Sequence, residues 1–214
     1  HRVIQVFDES GGLAHRHGAL LLVDGYQAAG QLPVTVEALD ADFYCSGGLK
    51  WLLGGSGIAF LHVRPSLTTR LAPAVAGWFG HATPFRFDPR QLTRAGDARR
   101  FELGTPSVAS IYAQLSGLEL LQEIGIGAVR EATAGLTEDL IAEARERGLH
   151  PRVAPTAAER SAIVMLPSPD PAAAVARLAA QGFIVDARPG HVRVSPYFYN
   201  TPEDHRAMLE HFVS

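Results

Sequence analysis

Two residues, Lys50 and Asp24, are of the right types and spacing for covalent chemistry on a carbonyl compound. A lysine that can lose its proton forms Schiff bases with aldehydes and ketones. The continuous apolar run Ala19-Leu20-Leu21-Leu22-Val23 has the length and pattern of a strand buried on both faces, and it ends on the acid Asp24. Asp42-Phe43-Tyr44-Cys45 predicts a second short strand, and Ser46-Gly47-Gly48-Leu49-Lys50-Trp51 the Gly-rich turn after it. Ligands of open α/β sheets collect outside the carboxyl ends of the strands, so Lys50 and Asp24 are expected to be neighbours there, with the carboxylate facing a cationic ligand. Each also has a plainer reading. Most lysines are solvated, and an Asp at a strand end is often a turn former or helix cap.

The elements around this pair alternate between strand and helix. Gly77-Trp78-Phe79-Gly80-His81 is a Gly-punctuated aromatic loop, read either as a ring presented to a ligand or as a loop anchored by buried aromatics. Thr105 precedes a helical stretch, where unpaired backbone N–H groups suit an anion. The stripe Ile111, Leu115, Leu118 and Leu121 or Gln122 has helical spacing up to the break at Ile124-Gly125, and Val129, Ala132, Leu136 and Leu140 mark a second helix ending near Gly148. Strands are expected at 162–166, 183–187 and 192–195, with a helix from Asp170-Pro171 to Gly182. A last helix begins at Thr201-Pro202-Glu203-Asp204, with Thr as cap and acids in the first turn. Two domains follow from this organisation, residues 1–124 and 125–214.

With 214 residues, 47% apolar and 19% charged, the chain can bury a sizeable core. A net charge of −3 and the single adjacent basic pair Arg99-Arg100 argue against a nucleic-acid partner. No apolar run reaches bilayer length and no signal peptide is visible, so a cytoplasmic location and no membrane association are expected. One cysteine excludes an intrachain disulfide and any Cys-rich zinc motif. Of the histidines, His15 and His17 are expected in a solvated helix, and only His81 is a candidate near a site.

Three segments together, Val23-Asp24-Gly25-Tyr26-Gln27-Ala28-Ala29-Gly30, Ala41-Asp42-Phe43, and Lys50-Trp51-Leu52-Leu53-Gly54-Gly55-Ser56-Gly57, resemble the class V aminotransferases. These belong to the pyridoxal phosphate (PLP) dependent fold type I superfamily and include kynureninases, cysteine desulfurases and isopenicillin N epimerase-like proteins. The resemblance implies an α/β fold, comprising the C-terminal part of a large doubly wound domain and a small C-terminal α/β domain. It implies that Lys50 carries PLP as a Schiff base, that Asp24 pairs with the pyridine nitrogen and that Gln27 bonds the phenolic oxygen. Gly77-Trp78-Phe79-Gly80-His81 with Arg100-Phe101 and Gly104-Thr105-Pro106 is similar to kynureninases. On that likeness Trp78 lines the cofactor and substrate site, and Thr105 binds phosphate across the interface of a homodimer. Arg193 in Arg193-Val194-Ser195-Pro196-Tyr197-Phe198-Tyr199-Asn200 matches the arginine that grips a substrate carboxylate. Arg188 is second in line, and an ion pair with Asp186 is the structural alternative.

The likeness implies an enzyme acting on a small amino acid, as an aminotransferase or a kynureninase-like lyase or hydrolase. The alternative is a noncatalytic remnant keeping fold and dimer surface. Departures are visible. Leu49 replaces the His or Tyr found before the lysine, Ser46 stands four rather than three residues before it, and the loop around Arg188 to Val192 lacks the cysteine a desulfurase needs. The likeness also enters partway through the large domain, at His1-Arg2-Val3, which implies a fragment without its phosphate-binding turn and with exposed sheet edges.

Overall fold

The computed structural model describes residues 10–213, so the opening segment 1–7 lies outside the description. The described residues divide into two compact units, one holding residues 10–30 and 34–120, the other residues 31–33 and 121–213.

The first unit contains α1 (Ser10–Arg16), β1 (Leu22–Asp24), β2 (Phe43–Gly47), β3 (Ala59–Val63), α2 (Pro65–Thr68) and most of α3 (Val108–Ile124). Its sheet has the order β1-β2-β3, with β1 parallel to β2 and β3 antiparallel to β2. The parallel register sets Asp24 opposite Cys45, so both strands end at the same sheet edge. The connection between them is built from turns: the Ala28 and Ala29 N–H groups both donate to the Gly25 carbonyl. The first strand is shorter and drier on one side only. Leu20 and Leu22 are exposed, at 49% and 59%, and Val23 is buried, so among the described residues only one face of β1 is covered.

Helix α1 is fastened to the opposite end of the sheet. The His15 Nε2 lies 2.7 Å from Asp42 Oδ2 and its Nδ1 3.1 Å from Asp40 Oδ2. Arg64 joins the same two carboxylates, at 2.7 Å to Asp40 and 2.8 Å to Asp42. The solvated histidine expected from sequence is therefore a clasp. His17 is exposed and bonds the Leu13 carbonyl one turn back. Helix α3 also differs from its pattern: Ile111 and Leu115 are exposed, and the buried residues are Gln114, Gly117 and Leu121. Gly117 decides this rotation. A Cβ there would stand 2.5 Å from the Leu52 carbonyl oxygen, so its bare backbone lets the helix approach the loop after Lys50, where Gln114 Nε2 donates to that carbonyl at 2.8 Å.

The second unit is a three-stranded antiparallel sheet, β4 (Val164–Pro167), β5 (Asp186–Arg188) and β6 (His191–Val194), ordered β4-β6-β5 and packed with α4 (Ile126–Glu146), α5 (Pro171–Ala180) and α6 (Pro202–Val213). Local chemistry sets its helix ends. Asp170 accepts the Ala173 N–H, and Thr201 and Asp204 cap each other's N–H groups reciprocally. Gly148 and Gly182, at φ 76° and 87°, take the left-handed turn after α4 and α5. Leu140, Val164, Leu166, Leu178, Val192 and Leu209 are fully enclosed, each contributing roughly 1.5–3 kcal/mol of burial. Strand β5 begins three residues later than its pattern, because the Pro189-Gly190 turn pairs Arg188 with His191 and the ladder runs only to Asp186, leaving Ile184 89% exposed. Among the described residues no helix is long and apolar enough to cross a membrane.

Candidate active site

The carboxyl edge of β1 and β2 gathers three of the residues singled out by sequence. Asp24 ends β1 with an exposed carboxylate whose Oδ1 accepts the Tyr26 N–H at 3.0 Å. It thus forms the turn that the plainer reading anticipated, at the sheet edge where β2 also ends. Gln27 follows on that turn, where its Oε1 accepts the indole N–H of buried Trp51 at 2.9 Å. This bond fixes the amide plane of Gln27. Lys50 precedes Trp51 in the glycine-rich loop after β2, closed by Gly48 N–H to Ile58 O and Gly54 N–H to Gly48 O. Its Nζ lies 4.8 Å from the centre of the Tyr26 ring. Among the described residues no carboxylate comes within ion-pair distance of it.

One signal in the sequence carries more weight than spacing. Lys50 is the only lysine among the 19 basic residues; every other one is arginine. Lys50 is therefore the one side-chain primary amine that the sequence offers for Schiff-base chemistry.

Trp78 and Thr105 stand on other segments of the same unit. Trp78 opens a short helical turn (Trp78–Gly80) and is 39% exposed, in edge contact with Phe79 and stacked on Phe87 at 5.8 Å. Gly77 is required beside it, since a Cβ would stand 1.6 Å from the Leu103 carbonyl oxygen. An open depression of about 500 Å³ lies among Trp78, His81, Phe87 and Arg90. His81 is tied locally, its Nδ1 accepting the Thr83 N–H at 2.9 Å. Thr105 is exposed on the segment leading into α3. Leu49 is exposed, and the Ser46 hydroxyl is buried on β2 with no hydrogen-bond partner.

Arg193 belongs to the second unit, on β6 opposite Asp186 of β5, and its guanidinium donates to Asp186 Oδ2 at 2.8 Å. Arg188 reaches the same oxygen at 2.5 Å. The ion pair weighed from sequence is thus present, with one carboxylate shared by two guanidinium groups. The Arg193 Nε is buried and without a partner, so part of the fork's hydrogen-bonding capacity is unused. Sequence reasoning missed Tyr26 and the His15–Asp42–Arg64 clasp. In the clasp, the hydrogen bond that His15 donates to Asp42, followed by the charges of Asp42 and Asp40, raises the His15 pKa above its ordinary value despite partial desolvation.

Residues 3–208 match the family model described as aminotransferase class-V. An uncharacterized aminotransferase of Bacillus subtilis, YcbU, is 33% identical over 203 residues, covering 94% of this chain and 53% of that protein. A kynureninase of Deinococcus radiodurans is 37% identical over 129 residues, covering 60% of this chain and 31% of that protein. Among solved structures, the apo cysteine desulfurase of Thermococcus onnurineus superposes with a TM-score of 0.87 at 25% identity, over 98% of this chain and 55% of that one. The architecture is that of the PLP-dependent fold type I enzymes, and the chain spans about half the length of these full-coverage relatives.

Proposed function

Because the chain belongs to the aminotransferase class-V family, we propose that it supplies the lysine-bearing part of a PLP-dependent enzyme acting on a small amino acid, with Lys50 as the covalent anchor. The observation that supports this is the position of the sequence's only lysine, in the loop after β2 and against the ring of Tyr26, which stands on the turn that Asp24 and Gln27 share. The donor set fits the cofactor chemically: an amine for its aldehyde, a carboxylate for its pyridinium nitrogen and an amide N–H2 for its phenolic oxygen. Bound there, PLP would supply an electron-accepting ring for the substrate Cα.

The chain's own residues have separable tasks. Lys50 would supply the amine that meets the cofactor's aldehyde and, when free, a base for a proton of the substrate. Asp24 would favour a proton on the ring nitrogen by its charge, and the Tyr26 N–H holds one oxygen of that carboxylate. Trp51 orients Gln27. Trp78 offers a flat apolar wall, Thr105 a hydroxyl for phosphate from the neighbouring subunit of a homodimer, and Arg193 a bidentate fork for the substrate carboxylate. Arg193 would then exchange part of its bond to Asp186 for substrate, while Arg188 keeps Asp186 neutralised.

The reaction favoured is transamination or a kynureninase-like lysis or hydrolysis. A desulfurase would need a mobile thiol, and the only cysteine, Cys45, is fixed in β2 opposite Asp24. The test is absorbance after adding PLP to the purified protein, then borohydride reduction and mass mapping. A visible band and a reduced adduct at Lys50 are expected; a folded protein that takes up no PLP would instead favour the noncatalytic remnant.

A further inference from the structure

The residue standing between Asp24 and Lys50 has a role that neither of them explains. We infer that Tyr26 is a positioning residue for Lys50: its ring is an aromatic rest that holds the ammonium group over the carboxyl end of β2. This rests on the reading of Lys50 as the covalent anchor and adds what places its amine.

Three independent restraints fix Tyr26. Its N–H is bound by Asp24 Oδ1 at 3.0 Å. The turn carrying it is closed by the Ala28 and Ala29 N–H groups on the Gly25 carbonyl. The ring itself lies across Gly47, where a Cβ would stand 1.9 Å from the tyrosine Oη and 2.2 Å from Cζ. Gly47 has no left-handed backbone angle, so what excludes a side chain there is the ring and not the backbone. Against this fixed ring the Lys50 Nζ rests at 4.8 Å from the centroid, inside the roughly 6 Å reach of a cation–π contact. With no carboxylate within ion-pair distance among the described residues, the π face supplies the local attraction for the cation.

The geometry has a chemical use. A carboxylate at this place would neutralise Lys50 in a tight ion pair and compete with Asp24 for the same cationic ligand. A π face holds only the charged amine and releases it once the proton leaves, so it positions the nucleophile without opposing its reaction.

The test reads Lys50 acylation at one fixed pH, using N-acetoxysuccinimide and mass spectrometry of the Lys50 peptide, on the folded chain without cofactor. Tyr26→Phe keeps the ring and should label at the wild-type rate. Tyr26→Leu should label about two- to fivefold faster, the change expected when an exposed cation–π contact is lost. Gly47→Ala displaces the ring and should move the rate in the same direction. Pentafluorophenylalanine at position 26 retains the shape of Phe with a reversed ring field, so it should behave like Tyr26→Leu. This arm also covers a Leu variant that fails to fold. Wild-type rates in both the Leu and fluorinated variants, or fast labelling in Tyr26→Phe, would overturn the inference. If the labelling order holds while PLP never attaches to Lys50, the rest stands and the anchor reading falls.

Discussion

The two units bury their residues in different ways. In the second unit, α4, α5, α6 and the β4-β6-β5 sheet enclose a continuous apolar cluster from Leu140 to Phe212. In the first, Leu20, Leu22, Phe60 and Leu61 of the sheet region and Ile111, Tyr112 and Leu115 of α3 remain exposed, while Val23, Ala41, Val63, Leu67 and Ala95 are buried together with Asp42, Gln114, Gly47 and Gly117. The unit with Lys50 thus adds hydrogen bonds and close backbone approaches to a smaller apolar burial, and the other is held by one continuous apolar cluster. Chemistry and stability are expected to respond to different substitutions.

The largest effect tests that separation directly. Lys50→Ala should abolish the visible PLP band completely and leave thermal unfolding unchanged; a retained band after dialysis would remove Lys50 from the site. Next is a pair of leucines. Leu209→Ala, in the enclosed cluster, should cost about 2–5 kcal/mol, whereas Leu22→Ala on the exposed sheet edge should stay within about 0.5 kcal/mol. Denaturant titrations of both variants decide it, and similar midpoints would erase the contrast.

Arg193→Ala crosses the comparison, being a functional change placed in the packed unit. The Michaelis constant for an amino acid substrate should rise on the order of tenfold or more, as for a charge-assisted contact of about 1.5–3 kcal/mol. The constant for the corresponding amide should move much less. Equal losses on acid and amide would leave Arg193 as no more than the partner of Asp186.

The smallest effect is the pH response, which should run in opposite directions in the two units. Hydrogen bonding to Asp42 raises the His15 pKa, so the clasp's stabilisation is complete below about 6.5 and is lost as pH rises through the raised value. Burial lowers the pKa of His205 on α6, against the pull of Asp204 and Asp139 and with the push of Arg206, and its Nε2 has no partner. The stability it permits is present above about 6.5 and is lost as pH falls through the lowered value. Unfolding followed between about pH 5 and 8 should therefore lose its alkaline slope in His15→Gln and its acid slope in His205→Leu. Parallel slopes in both variants would show that neither histidine titrates as its surroundings indicate.

Much of this was written locally. The caps at Asp170 and Thr201, the glycines at 148 and 182 and the 3.6-residue period of α4 are short-range signals, and the helices follow them. The Asp24 and Lys50 edge was likewise legible, because a parallel pair of strands ending in polar residues must present both ends together. The lone lysine was legible too, in composition alone. Tertiary structure decided the rest. Which face of α3 is buried depends on Gly117 meeting the Leu52 carbonyl, a contact across the chain that outweighs the helix's own apolar stripe. His15 becomes a clasp only when Asp40, Asp42 and Arg64 converge on it, and Tyr26 becomes a rest for Lys50 only because Gly47 leaves room for its ring. Periodicity and caps act over a turn or two of chain, whereas these contacts join residues that only the fold brings within a few ångströms.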